Sequence, residues 1–208
     1  MAAWDSLARI VEAVGHNSEV IEELAVKAQQ HRRDIERMRK LGLAVQESVK
    51  AAMRARDLDV EHIDHGYDFY VTPVVVREDD PEDLSSHFEV GGYKVEVKTT
   101  TTGEARLTPL QAATAAGEPD FFVLCVVDLR NFEGDVHQVN WAAEDVSGRC
   151  KFTFGRDIPT GETLSFIHNA ESSDVPIRNT TALRYAVLAD LWDEGLDIDE
   201  WVEIAFRS

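Results

Sequence analysis

The stretch Phe121–Val127 reads Phe-Phe-Val-Leu-Cys-Val-Val, and it constrains the fold more than any other part of this chain. A strand with no polar position in such a run is covered on both faces. That is the place of a central strand in a sheet flanked by helices. The run is far too short to cross a bilayer as a helix.

Its neighbours in sequence supply the rest of such a sheet. Asp59–Ile63 and Asp68–Val76 read as strands. Phe88-Glu89-Val90 and Tyr93-Lys94-Val95 flank Gly91-Gly92, a hairpin signal. Leu43–Arg56 is helical, with Val45, Val49, Ala52 and Met53 on one side, and Gly42 marks a bend or boundary before it. Thr108-Pro109-Leu110-Gln111 opens a short helix that ends near Gly117. Thr108 is its N-cap, Pro109 fits the first helical position and Gln111 completes a capping box. Val136–Asn140 reads as one more edge strand. The expected core runs helix, three strands, helix, then one or two strands, which makes an α/β fold with a mixed sheet.

Both ends extend this core. Residues 1–40 are expected to be a helical extension. Trp4, Leu7, Val11 and Val14 keep helical spacing, Gly15-His16-Asn17-Ser18 interrupts it, and a longer helix follows. There Ile21, Leu24, Ala28, His31, Ile35 and Met38 alternate by three and four, as in a heptad seam. Such a seam serves a helical hairpin within one chain or a homodimer contact. Residues 41–140 hold the core, and residues 141–208 are expected to be an α+β extension packed on it. Within them Lys151–Phe154 and Thr163–Ile167 read as short strands and Thr181–Trp192 as a helix. Asp197–Phe206 reads as an acidic helix or strand.

Val95-Glu96-Val97-Lys98-Thr99 carries the chemistry. Alternate side chains of a strand share a face. Glu96 and Lys98 therefore point together, with Tyr93, Val95 and Val97 on the other side. Asp68, on a neighbouring strand, is placed to add a second carboxylate. Carboxylates suit a divalent cation, and an ammonium beside them suits a phosphate. The plainer readings are an Asp ending a turn after Gly66 and an exposed Glu–Lys pair of little consequence. His62, Asp64, His65 and Asp68 offer a rival zinc or manganese set. Strand alternation sets the two histidines on opposite faces.

Charge bears on partners. The net charge of −18 disfavours nucleic acid at first sight. From Val26 to Arg56, however, nine basic residues stand against three acidic ones. A basic helix thus sits on an acidic body. Cys125 and Cys150 do not make a disulfide framework, so a reducing, cytoplasmic setting is expected. No membrane association is expected.

The order of these parts resembles the PD-(D/E)XK nuclease superfamily, with its restriction-endonuclease-like αβββαβ core. Gly66-Tyr67-Asp68 opens one strand and Val95-Glu96-Val97-Lys98-Thr99 follows on another. Leu107-Thr108-Pro109-Leu110-Gln111 then precedes the apolar strand. The closest likeness is to the DUF3883 and Mrr-like branches, over about residues 41–140. Those relatives commonly have Glu where this chain has Gln111. The resemblance implies a metal-dependent DNA endonuclease of restriction, defence or repair. Asp68, Glu96 and Lys98 would be catalytic. Asp68, Glu96, the Val97 carbonyl and Glu47 would hold Mg²⁺ or Mn²⁺, with DNA as partner. It equally admits a catalytically silent module that binds nucleic acid or acts as a scaffold, and a chain that is the tail of a larger polypeptide.

Overall fold

A computed structural model describes residues 18–63, 65–74, 91–158 and 184–207. The chain divides into two compact units, Met1–Leu41 and Gly42–Ser208. Helix α1 spans Ser18–Arg54, and Gly42 does not break it. A glycine inside a helix costs only about 1 kcal/mol against alanine. The turns on either side of Gly42 are rich in Leu, Ala, Arg and Lys, all good helix formers.

The sheet has five strands. β1 (Leu58–His62), β2 (Phe69–Pro73), β3 (Tyr93–Thr100), β5 (Phe122–Asp128) and β6 (Cys150–Phe154) lie in the order β1-β2-β3-β5-β6. β3 and β5 run parallel, from Lys94 opposite Phe122 to Thr100 opposite Asp128. The other neighbours are antiparallel, so the sheet is mixed. The parallel pair needs a crossover, and α2 (Pro109–Gly117) lies in it. β5 lies inside the sheet between β3 and β6 and is buried from Phe122 through Val127, as its apolar run requires.

β4 (Ala105–Leu107) pairs antiparallel with β7 (Tyr185–Val187) in a separate two-stranded sheet. Among the described residues three further α-helices are short: α3 (Ala143–Ser147), α4 (Ala189–Trp192) and α5 (Ile198–Phe206).

The two faces of the five-stranded sheet bury different partners. On one, Phe122, Leu124 and Val126 join Ala112 and Ala115 of α2, the β4–β7 pair and Trp192 in one apolar cluster. On the other, the Trp201 ring of α5 stacks on Phe152, with centroids 4.6 Å apart and planes at 4°. Tyr93 meets both Trp201 and Phe206 edge-on. Arg56, just past α1, holds α5 through an ion pair to Asp199 at 2.6 Å.

Several expectations need correction. Val136–Asn140 is a turn, closed by the Gln138 amide donating to the Asp135 carbonyl at 2.9 Å. The Asp135 carboxylate also takes the His137 amide, so a local side-chain bond competes here with a strand ladder. The edge strand is instead β6, drawn from the C-terminal extension. Thr181–Trp192 is not one helix: its described part begins with β7, where Tyr185 and Val187 are buried about an exposed Ala186. A period of two fits those residues, and only Ala189–Trp192 is helical. Residues 2–14, Phe88–Val90 and Thr163–Ile167 lie outside the described residues. Cys125 and Cys150 are both free and buried. Among the described residues no helix is long and apolar enough to cross a membrane.

Candidate active site

Asp68, Glu96 and Lys98 converge on the α2 side of the sheet. The β2–β3 register pairs Phe69 with Val95. Asp68 lies just beyond that pair, near enough that its charge acts on Glu96. The Asp68 amide donates to the Val95 carbonyl at 3.0 Å, so Asp68 as well as Phe69 lies against Val95. β2 ends at this point, so Val97 finds no strand partner on that edge. The Asp68 carboxylate replaces it, with Oδ2 accepting from the Val97 amide at 2.7 Å. A strand residue turns its N–H and C=O to the same side. The Val97 carbonyl therefore points to the edge where Asp68 stands.

Gly66 shapes the approach to Asp68. Its φ of +82° lies in the left-handed region, and a Cβ there would stand 2.6 Å from Thr114 Oγ1. Only glycine gives both the turn and the close approach to α2.

Glu96 is completely buried. Its Oε1 meets Lys98 Nζ at 2.5 Å and Gln111 Nε2 at 2.5 Å. Its Oε2 has no hydrogen-bond partner in the structure. Burial raises its pKa from the usual carboxylate range to about 7; Lys98 opposes the rise and the Asp68 charge adds to it. The exposed ion pair that the sequence admitted is thus ruled out. This carboxylate is desolvated, and half of it is unsatisfied.

Gln111 is the residue that sequence reasoning left at the margin. It does complete the capping box, its Oε1 accepting from the Thr108 amide at 2.8 Å while its own amide donates to Thr108 Oγ1. The other end of the same amide group grips Glu96. The third helical position of α2 points back over β3, and the sequence signal was available: a capping glutamine uses only its oxygen on the cap, leaving two N–H donors for a neighbour.

Glu47 does not join this group. Val45 and Val49 are buried, and a residue two positions from each lies about 200° around the helix from both. Glu47 is accordingly exposed. Of the rival set, Asp64 lies outside the described residues, and His62 and His65 do not share a site. The His62 ring packs edge-on against Phe69 with centroids 5.8 Å apart, while His65 lines a separate groove. Among the described residues no cluster of three or more His, Cys, Asp or Glu side chains is arranged to hold a metal. The carboxylate centre is therefore a pair.

That groove, of about 600 Å³, is bordered by His65, Tyr67, Lys94, Leu110, Thr114 and Glu118. Lys94 lies over the Tyr67 ring at 5.5 Å and pairs with Glu118. Lys94 shares a strand face with Glu96 and Lys98, so the groove lies beside the carboxylate pair. Comparison of the chain with protein-family models, curated proteins and solved structures finds no match.

Proposed function

We propose that this protein is a divalent-metal-dependent phosphodiesterase acting on DNA, with Asp68, Glu96 and Lys98 at its reacting centre. One observation carries the reading. Glu96 Oε2 is a buried oxygen without a hydrogen-bond partner, on a carboxylate that feels the charge of a second one, Asp68. An unsatisfied buried charge is costly and calls for a partner. Two carboxylates and the Val97 carbonyl form a hard oxygen set. It fits Mg²⁺, which binds few protein oxygens and retains several waters; Mn²⁺ accepts the same donors. When bound, such an ion supplies Lewis-acid stabilisation of charge developing on a phosphoryl group.

The chain's own residues do the remainder. Lys98 is partly exposed, so its ammonium reaches solvent while it holds Glu96, and it is positioned to offset charge on a phosphate oxygen. Gln111 fixes the Glu96 rotamer. Asp68 is fixed by the Val97 amide. The excess of basic residues between Val26 and Arg56 favours attraction of a polyanion to the chain. The order of α1, three strands of the main sheet, the short β4, α2 and β5 supports the resemblance to PD-(D/E)XK nucleases.

A second reading is a nuclease-like module that binds nucleic acid without cutting it. The full burial of Glu96 favours that reading, because a substrate phosphate must approach this carboxylate. Incubation with plasmid DNA and Mg²⁺ or Mn²⁺ separates the two. Cleavage should fall at least 100-fold in Asp68→Ala, Glu96→Ala and Lys98→Ala and persist in Glu47→Ala. Cleavage unchanged in the first three variants would refute the assignment. Salt-sensitive DNA binding with no cutting under either metal would establish the second reading.

A further inference from the structure

The N-terminal turns of α1 carry an apolar seam with nothing on it among the described residues. Ile21, Leu24, Ile35 and Met38 are 38%, 41%, 54% and 48% exposed, and Ala28 and His31 between them are also exposed. A stripe at this spacing normally packs against another helix. We infer that it packs against the same stripe of a second copy of this chain, with the two helices antiparallel.

Three features select the partner and its direction. The first is size. Antiparallel pairing sets each a position against a d position, so Ile21 meets Met38 of the second copy and Leu24 meets its Ile35. In the middle, the small Ala28 meets the larger His31, and the two fill one another's space. Parallel pairing would stack Ala28 on Ala28, leaving a gap, and His31 on His31.

The second feature is the pair of charges flanking the seam. Antiparallel pairing brings Lys27 beside Asp34 of the second copy, twice by symmetry. Parallel pairing would instead set Lys27 against Arg32. In the single helix Lys27 reaches Glu23 at 2.6 Å and Asp34 takes a hydrogen bond from Gln30 at 2.8 Å. Both contacts are exposed and weak, so exchanging them costs little.

The third feature is the charge gradient along the helix. Glu19, Glu22 and Glu23 outweigh Lys27 in its early turns, while Arg32, Arg33, Arg37, Arg39 and Lys40 outweigh Asp34 and Glu36 in the later ones. Reversing one helix against the other lays the acidic turns on the basic ones. The same surface is therefore self-complementary, as a two-fold interface requires.

Sedimentation of the whole chain over a range of concentrations tests this. The expected result is a reversible dimer, twice the 23.3 kDa chain mass. Leu24→Glu and Ile35→Glu should each raise the dissociation constant at least tenfold. Lys27→Asp should weaken the dimer, and adding Asp34→Lys should restore it. Cysteine pairs report direction. In the antiparallel arrangement Ile21→Cys and Met38→Cys chains crosslink when mixed, and neither crosslinks alone, because the two copies of each position lie roughly 25 Å apart along the axis. A monomer at every concentration would overturn the inference and assign the seam to another segment of the same chain. Self-crosslinking of either single variant would overturn it in favour of parallel pairing.

Discussion

Replacing Glu96 with glutamine should make the protein more stable above neutral pH and leave it little changed at pH 5. Glu96 is fully buried, and its pKa is pushed up to about 7 from an ordinary value of 4.5. A carboxyl whose pKa is raised by folding binds its proton more tightly in the native state than in the unfolded chain. Its contribution to stability is complete below the unfolded value and is lost as pH rises through the folded one. A tenfold difference in proton affinity between the two states corresponds to about 1.4 kcal/mol. The stability of the wild type relative to Glu96→Gln should therefore drop by about 2–3 kcal/mol between pH 5 and pH 8. The amide keeps the shape of the carboxylate and still offers an oxygen to Lys98 and Gln111, so no cavity confuses the comparison. Thermal or urea unfolding of both proteins across this range measures the difference, expected as about 5–10 °C in Tm for a chain of this size. Stability curves that run parallel with pH would show that Glu96 titrates normally, and the argument from its burial would fail.

Other consequences can be checked alongside. Mg²⁺ at 100 times its dissociation constant should stabilise the wild type at pH 8 by about 2.7 kcal/mol and leave Asp68→Ala unaffected; equal responses would remove the carboxylate pair as the binding site. Thr108→Ala removes the N-cap acceptor of α2 and should cost about 1 kcal/mol in unfolding experiments while plasmid cleavage persists. Gly66→Ala should cost about 1–3 kcal/mol and reduce cleavage, since its left-handed turn and its contact with Thr114 set the position of Asp68. Wild-type stability and activity in that variant would show the turn to be adaptable. Trp201→Ala, on the face away from the carboxylates, should cost about 3–5 kcal/mol through the cavity left beside Phe152.

The α2 side of the sheet was largely legible in the sequence, because local rules govern it. Period-two alternation separated Glu96 and Lys98 from Val95 and Val97, and α2 begins where Thr108, Pro109 and Gln111 said it would. Long-range pairing was not legible. Nothing local distinguishes Cys150–Phe154 as the partner of β5 from Val136–Asn140, since both are short stretches of mixed polarity. Tyr185 and Val187 suit either a helix or a strand until β4 arrives beside them. Glu47 was carried by family resemblance against the helical angle, and the angle decided. The depth of Glu96 was hidden for a related reason. It depends on Gln111, fifteen positions downstream, which bonds it, and on β5, whose Leu124 stands opposite it in the parallel register.

The single amide of Gln111 ties two events together. Fraying of the first turn of α2 breaks the bond to Thr108 and uncovers Glu96 in the same motion. Water reaching the carboxylate in that way would remove the desolvation that raises its pKa. Breathing of one helix end and the proton affinity of a residue on another element thus become one equilibrium, and hydrogen exchange at the α2 N-terminus should quicken as Glu96 loses its proton.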